Sequence, residues 1–219
     1  MKIYSPYAEM ENAAGMISDS DNARLLIRHS IRFDNPVNND YDPLLLTPEG
    51  IELAKKIGSV IDRPIGECLS STIKRCVQTA RYICEGVDKK YCAEIPEIRE
   101  TKILADTLGA TKANIGWHEY FHYLQIGNKE MCRGVTLEME IKRLIDTVFL
   151  TKGEAGKLDL ICTHDSHIII AASALFDLRT GLDGHDWCRY TEGLFFTGTR
   201  NDFTAFWRGE KRRFVDYLI

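Results

Sequence analysis

Residues 23–30, ARLLIRHS, set how the rest of the chain is read. Three consecutive aliphatics, Leu25-Leu26-Ile27, stop abruptly at Arg28-His29-Ser30. A short apolar run without alternation predicts a strand buried on both faces, and the charged end predicts where it leaves the core. The same construction returns in KLDLICTHD (157–165), apolar and then Thr163-His164-Asp165. Strands buried on both faces need helices on both sides, and the intervening segments supply them. TPEGIELAKKIGSVI (47–61) has Thr47 as N-cap, Pro48 at the first helical position and an apolar face of Ile51, Leu53, Ala54, Ile57 and Ile61. TIKRCVQTARYICEG (72–86) reads as a second helix with Gly86 near its end, and SHIIIAASALFDL (166–178) as a buried one.

IGECLSS (65–71) and YCAEIPEI (91–98) read as further strands, and GLFFTGTRNDFTAFWRG (193–209) as a hairpin around a polar turn. NPVNNDYDP (35–43) has turn chemistry, and residues 1–23 form a weakly patterned lead-in, part of it helical. Strand–helix alternation gives the fold class: α/β with a mainly parallel sheet. There is no repeat and no interior linker. The chain is therefore expected to be one domain, 1–219, with residues 102–150, rich in helix formers and aromatics, as a cap insertion.

Composition bounds the function. The 219 residues are 44% hydrophobic and 27% charged, an ordinary globular balance. No run of eighteen apolar residues is present, so no span of a membrane is expected. MKIYSPYAEMENAAGM (1–16) lacks the unbroken apolar stretch of a secretory signal. The formal net charge of -4 argues against broad binding to nucleic acid or anionic membrane. Seven cysteines is an odd number, and Cys68, Cys76, Cys84 and Cys92 follow no zinc-ligand spacing. Reduced core cysteines in a cytoplasmic protein are the expected reading.

In α/β sheets, ligands bind beyond the carboxyl ends of the strands. Those ends carry Arg28-His29 with Arg32 one short turn on, Ser70-Ser71-Thr72 with Arg75 on the next helix, and Thr163-His164-Asp165. Taken singly, each is an ordinary strand-end or helix residue. Together they supply three arginines, two histidines and a carboxylate at one sheet edge. Arginines grip tetrahedral oxyanions bidentately. Histidine can attack phosphorus, and a neighbouring carboxylic acid can protonate a departing alkoxide. The set suffices for metal-free phosphoryl transfer through a phosphohistidine.

These segments resemble the histidine phosphatase superfamily, which includes cofactor-dependent phosphoglycerate mutases and histidine acid phosphatases. LLIRHS (25–30) is similar to the family's strand ending in R-H-G, and LTPEG (46–50) to its L-T-x-x-G helix start. SSTIKRCVQTA (70–80) resembles its S-S-x-x-x-R-x-x-Q-T-A segment, and THD (163–165) its second histidine motif. The resemblance implies a three-layer α/β/α sandwich with a small cap over the substrate pocket. It implies His29 as the phosphorylated nucleophile, with Arg28, Arg75 and His164 on the phosphoryl oxygens and neither metal nor cofactor. The expected activity is hydrolysis of a small-molecule or protein phosphomonoester. A phosphomutase, or a weakly catalytic module that binds phosphorylated partners, stands as the alternative.

Two branches of that family differ in the proton donor, and the chain carries marks of both. Arg32 and Asp165 resemble the acid-phosphatase branch, in which the aspartate is the donor and the extra arginine joins the phosphate pocket. EIPEIRE (94–100) resembles the mutase branch, whose donor would be Glu100. Asp165 is preferred because its neighbour His164 already points into the pocket, with Glu100 the alternative. Two departures from the family pattern bear on this edge. Ser30 stands where the family has glycine, and Phe33-Asp34 stand where a proline is expected after Arg32, which weakens the assignment of Arg32 to the phosphate.

One motif competes. His118-Glu119-Tyr120-Phe121-His122 spells H-E-x-x-H, which on a helix can grip zinc. A third ligand would have to come from elsewhere, and Glu138 or Glu140 could be proposed, though neither lies in a recognised zinc signature. With Trp117 and Tyr123 alongside, the segment reads instead as an aromatic wall, packed on the core or facing substrate.

Overall fold

The computed structural model describes residues 1–35, 42–108 and 115–218. Seven strands form one sheet in the order β3-β2-β4-β1-β5-β6-β7. They are β1 (Ala23–Arg28), β2 (Ile65–Ser71), β3 (Ile98–Thr101), β4 (Leu158–Thr163), β5 (Gly193–Gly198), β6 (Asp202–Trp207) and β7 (Glu210–Val215). β1 lies parallel to β4 in a register that pairs Arg28 with Thr163, and β2 lies parallel to both β4 and β3. β5, β6 and β7 complete the other side antiparallel.

Alternation along β1 builds the three layers. Leu25 and Ile27 join one apolar cluster with α1 (Ala8–Gly15), α2 (Pro48–Ser59) and α3 (Lys74–Gly86). Leu26 faces the other way, into a cluster with α4 (Trp117–Gln125), α5 (Leu137–Val148) and α6 (Asp165–Phe176). The middles of β1 and β4 are apolar: their buried charges, Arg24 and Asp159, sit near the amino ends, and the next polar side chains come only at the carboxyl edge. The α/β sandwich expected from the sequence is the architecture observed. Residues 102–150 hold a short 3-10 turn, α4 and α5, with no strand among the described residues, and their Tyr120, Phe121, Leu144 and Ile145 join the α6 cluster.

Helix starts follow local chemistry. Thr47 caps α2 by accepting the Gly50 N–H at 3.1 Å, with Pro48 at its first position. Gly50 is required by packing: a Cβ there would run into the Ile31 carbonyl oxygen, two residues past His29. The strand expected over 91–98 is displaced; it begins only at Ile98 and runs to Thr101. Pro96 cannot donate to a ladder, and residues 92–97 form no strand. β7 was not anticipated, because its sequence EKRRFV carries four charges in a row on a half-exposed strand. Most of the turn read at 35–43 lies outside the described residues.

Candidate active site

The edge formed by β2, β4 and β1 gathers the residues singled out from the sequence. A cavity of about 400 Å³ there is lined by Arg28, His29, Arg32, Arg75, His164 and Asp165, among others. The strands hold the two histidines in register: the His29 N–H donates to the Thr163 carbonyl at 2.9 Å, and His164 follows as the N-cap residue of α6. The N-termini of α3 and α6 both open on this edge and add positive potential.

His29 is 3% exposed, and both ring nitrogens are committed. Nδ1 lies 2.8 Å from the Ser30 carbonyl oxygen, which can only accept, so Nδ1 carries the proton. Nε2 then keeps its lone pair and accepts the Arg75 Nε–H at 3.1 Å. Burial, followed by repulsion from His164 whenever it is protonated and from the charged Arg75 and Arg28, holds the His29 pKa well below that of an ordinary imidazole. The ring is a neutral base aimed into a guanidinium cluster.

His164 is fixed in the complementary way. Arg75 Nη2 donates to its Nδ1 at 3.2 Å, which leaves Nε2–H to donate to Ser71 Oγ at 2.9 Å. The rings of His29 and His164 stand edge to face, 5.5 Å apart. Cys76 Sγ lies 3.5 Å from His164 Nε2. Arg75, 6% exposed, thus bridges the two histidines from the first turn of α3.

Arg28 reaches Asp165 Oδ2 at 3.0 Å and the Cys188 carbonyl at 2.6 Å, with its guanidinium 4.2 Å from the Tyr190 ring centre. Its buried Nε has no hydrogen-bond partner among the described residues. Asp165 also accepts the Trp187 indole N–H at 3.2 Å and the Ser166 N–H at 2.9 Å. Burial pushes its carboxyl up, but Arg28, the indole N–H, His164 and the Ser166 N–H together outweigh it. The net pKa lies below that of a free aspartate. Arg32 lines the same cavity while donating to the Phe33 carbonyl at 2.7 Å.

Glu100 is brought elsewhere. It is exposed on β3 and lines a shallow groove with Val77, Arg81 and Ile95. Ser30 avoids a positive φ. Its Oγ donates to the Gly50 carbonyl at 2.8 Å and its N–H to Thr79 Oγ1 at 3.0 Å, which ties the histidine turn to α2 and α3. Of the H-E-x-x-H pair, His118 lines the cavity against Trp187, their ring centres 4.6 Å apart, whereas His122 lies against Tyr123. Among the described residues, no cluster of three His, Cys, Asp or Glu side chains is arranged to hold a metal ion.

Sequence reading missed the contribution of the loop after α6. Trp187, the Cys188 carbonyl and Tyr190 all converge on Arg28 and Asp165 from it. No periodicity marks that loop; its density of Gly, Asp, His and Trp was the available signal.

The fold has solved counterparts. A phosphoglycerate mutase from Bacillus anthracis str. Sterne superposes with a TM-score of 0.60 at 13% identity, over 88% of this chain and 95% of that one. A phosphoserine phosphatase from Entamoeba histolytica, in complex with 3-phosphoglyceric acid, gives 0.52 at 17% identity over 80% and 89%. A mycobacterial glucosyl-3-phosphoglycerate phosphatase gives 0.52 at 12% over 86% and 99%. No curated protein matches by sequence. Residues 25–182, which include both histidines, Arg75 and Asp165, match the family model of the histidine phosphatase superfamily (branch 1), and the chain belongs to that superfamily.

Proposed function

We propose that the protein hydrolyses phosphomonoesters through a covalent phosphohistidine at His29, without a metal. One observation carries the reading: the His29 ring is buried, tautomer-fixed and neutral, with Nε2 turned toward Arg75 and His164. A neutral imidazole with a directed lone pair is a nucleophile, and the guanidinium groups around it suit a phosphoryl group.

In the first step Nε2 attacks phosphorus and the P–O bond to the leaving group breaks. Arg28, Arg75 and His164 take up the charge on the equatorial oxygens, with Arg32 at the rim. Asp165 gives its proton to the leaving oxygen. That requires Asp165 to be protonated, although Arg28 and Trp187 favour its carboxylate. Binding of the phosphoryl group resolves this: it draws Arg28 away and adds negative charge beside Asp165, and both changes raise its pKa. In the second step Asp165 removes a proton from water, the water oxygen attacks phosphorus, and the P–N bond breaks to release phosphate and neutral His29.

The solved relatives named for phosphoserine and for glucosyl-3-phosphoglycerate make a small phosphomonoester the natural substrate class. The seven cysteines, free and buried, suit a reducing cytoplasm. Phosphate release from a panel of phosphomonoesters in EDTA tests the proposal. Release that persists in the chelator and vanishes in His29→Ala is expected. Full activity in that variant removes His29 from the reaction, and isomerisation without phosphate release converts the hydrolase into a mutase.

A further inference from the structure

The cavity is larger than a phosphoryl group needs, and much of its remaining lining is aromatic. Trp117, His118 and Trp187 face it, with Asp42, Ala105 and Ser166 completing the lining. Trp117 stacks on Phe121, with centres 6.1 Å apart and planes within 15°. Trp187 meets the same Phe121 edge-on at 5.5 Å. Phe121 itself is 1% exposed, so two cavity-lining indoles are braced on one ring anchored in the core. His118 packs on Trp187, and Gly184 in the facing loop makes room for it, because a Cβ there would press into the imidazole.

Core packing does not account for this arrangement. Trp117 remains 53% exposed, and His118 is exposed as well. Rigid, partly uncovered aromatic faces beside an anion cradle offer stacking area rather than hydrogen bonds. The Trp187 N–H is already given to Asp165. A flat aromatic ring can meet these faces over its whole area, more fully than a puckered ring can.

We propose that Trp117, His118 and Trp187 form the subsite for the leaving group, and that the substrate is a phosphomonoester carrying a flat aromatic ring. The inference rests on the phosphomonoester reading and names its substrate class. The ring can be benzenoid, as in an aryl phosphate or phosphotyrosine, or a nucleobase.

Equilibrium binding of non-hydrolysable phosphonates tests the subsite without turnover. Calorimetry would compare benzylphosphonate, cyclohexylmethylphosphonate and methylphosphonate on the wild-type protein, Trp117→Ala and His118→Ala. The wild type is expected to bind benzylphosphonate about fivefold tighter than the saturated ring. Trp117→Ala should erase that preference and leave methylphosphonate affinity unchanged. Equal affinity for the two rings, or an equal loss for all three ligands in both variants, overturns the subsite. So does failure to bind any of the three, which removes the anion cradle too. An inert chain that keeps the aromatic preference would retain the subsite and lose the hydrolase; an active chain without the preference would do the reverse. On His29→Ala protein, phosphotyrosine or adenosine 5′-monophosphate should displace benzylphosphonate better than glucose 6-phosphate, and whichever leads identifies the ring. Glucose 6-phosphate ranking first overturns the inference.

Discussion

Arg75 donates its Nε–H to His29 Nε2 across 3.1 Å, so the guanidinium covers the lone pair proposed to attack phosphorus. The same side chain reaches His164 Nδ1 with Nη2 at 3.2 Å. One planar fork fixes two imidazoles and must hand its donors to phosphoryl oxygens during reaction. An ammonium group keeps the charge but cannot span both rings. Arg75→Lys is therefore expected to lower kcat/KM by about 10²–10³-fold, the usual loss for one positioned oxyanion donor. Steady-state kinetics on a folded variant checks this; a loss under threefold would show that the fork geometry is unimportant.

Asp165 and Glu100 separate cleanly by leaving group. Asp165→Asn should lower kcat/KM for alkyl phosphates by about 10²–10⁴-fold while sparing kcat/KM for nitrophenyl phosphate, whose leaving oxygen barely needs a proton; loss of the water-activating base lowers kcat for both. Glu100→Gln, altering an exposed residue outside the cavity, should change neither. The kcat/KM values on the two ester types decide. A leaving-group-dependent loss in Glu100→Gln would transfer the role to Glu100.

Acid should destabilise the protein through its buried neutral histidines. His167 is 1% exposed, with Nε2 at 3.0 Å from the Ile103 carbonyl. Burial, then repulsion from His164 when it is protonated and from Arg143, lowers its pKa from 6.5 to about 3. The unfolded chain therefore takes the proton first. The stability conferred by the neutral ring is complete above about pH 6.5 and is lost as pH falls toward 3. Its slope is about 1.4 kcal/mol per pH unit. His29, lowered in the same direction, adds to the effect. Urea unfolding at pH 7.5 and pH 5 should show this loss, and His167→Gln should reduce the difference between the two pH values by about 2 kcal/mol. An unchanged difference would mean that His167 is charged in the fold.

Gly50→Ala tests the contact between α2 and the histidine turn. The added Cβ meets the Ile31 carbonyl oxygen, which is main chain and cannot rotate away. A cost of about 1–3 kcal/mol in urea unfolding is expected, together with reduced activity, because Ser30 also bonds to the Gly50 carbonyl. A neutral result in both assays would show that α2 can shift without moving His29.

The placement of the chemistry was legible in the chain because the apolar middle of a strand buried on both faces stops abruptly where the strand leaves the core. ARLLIRHS and KLDLICTHD therefore announced both the parallel core and the edge where Arg28, His29, His164 and Asp165 meet. The start of α2 at Thr47-Pro48 was readable for a similar reason, since capping and first-turn chemistry are local. Ser30 could be flagged as unusual from sequence, but its bonds to Gly50 and Thr79 join residues twenty and forty-nine positions away.

The rest depended on contacts between segments distant in the chain. β3 starts late because Pro96 interrupts the ladder, which puts Glu100 on an exposed edge and leaves Asp165 in the cavity. Trp187 reaches Asp165 from a loop twenty-two residues later, and Trp117 is set by a stack on Phe121. Nearest-neighbour patterns record burial and backbone preference. Which loop folds over which strand end is settled only when the two helical layers close on the sheet, and that closure determines the walls of the pocket.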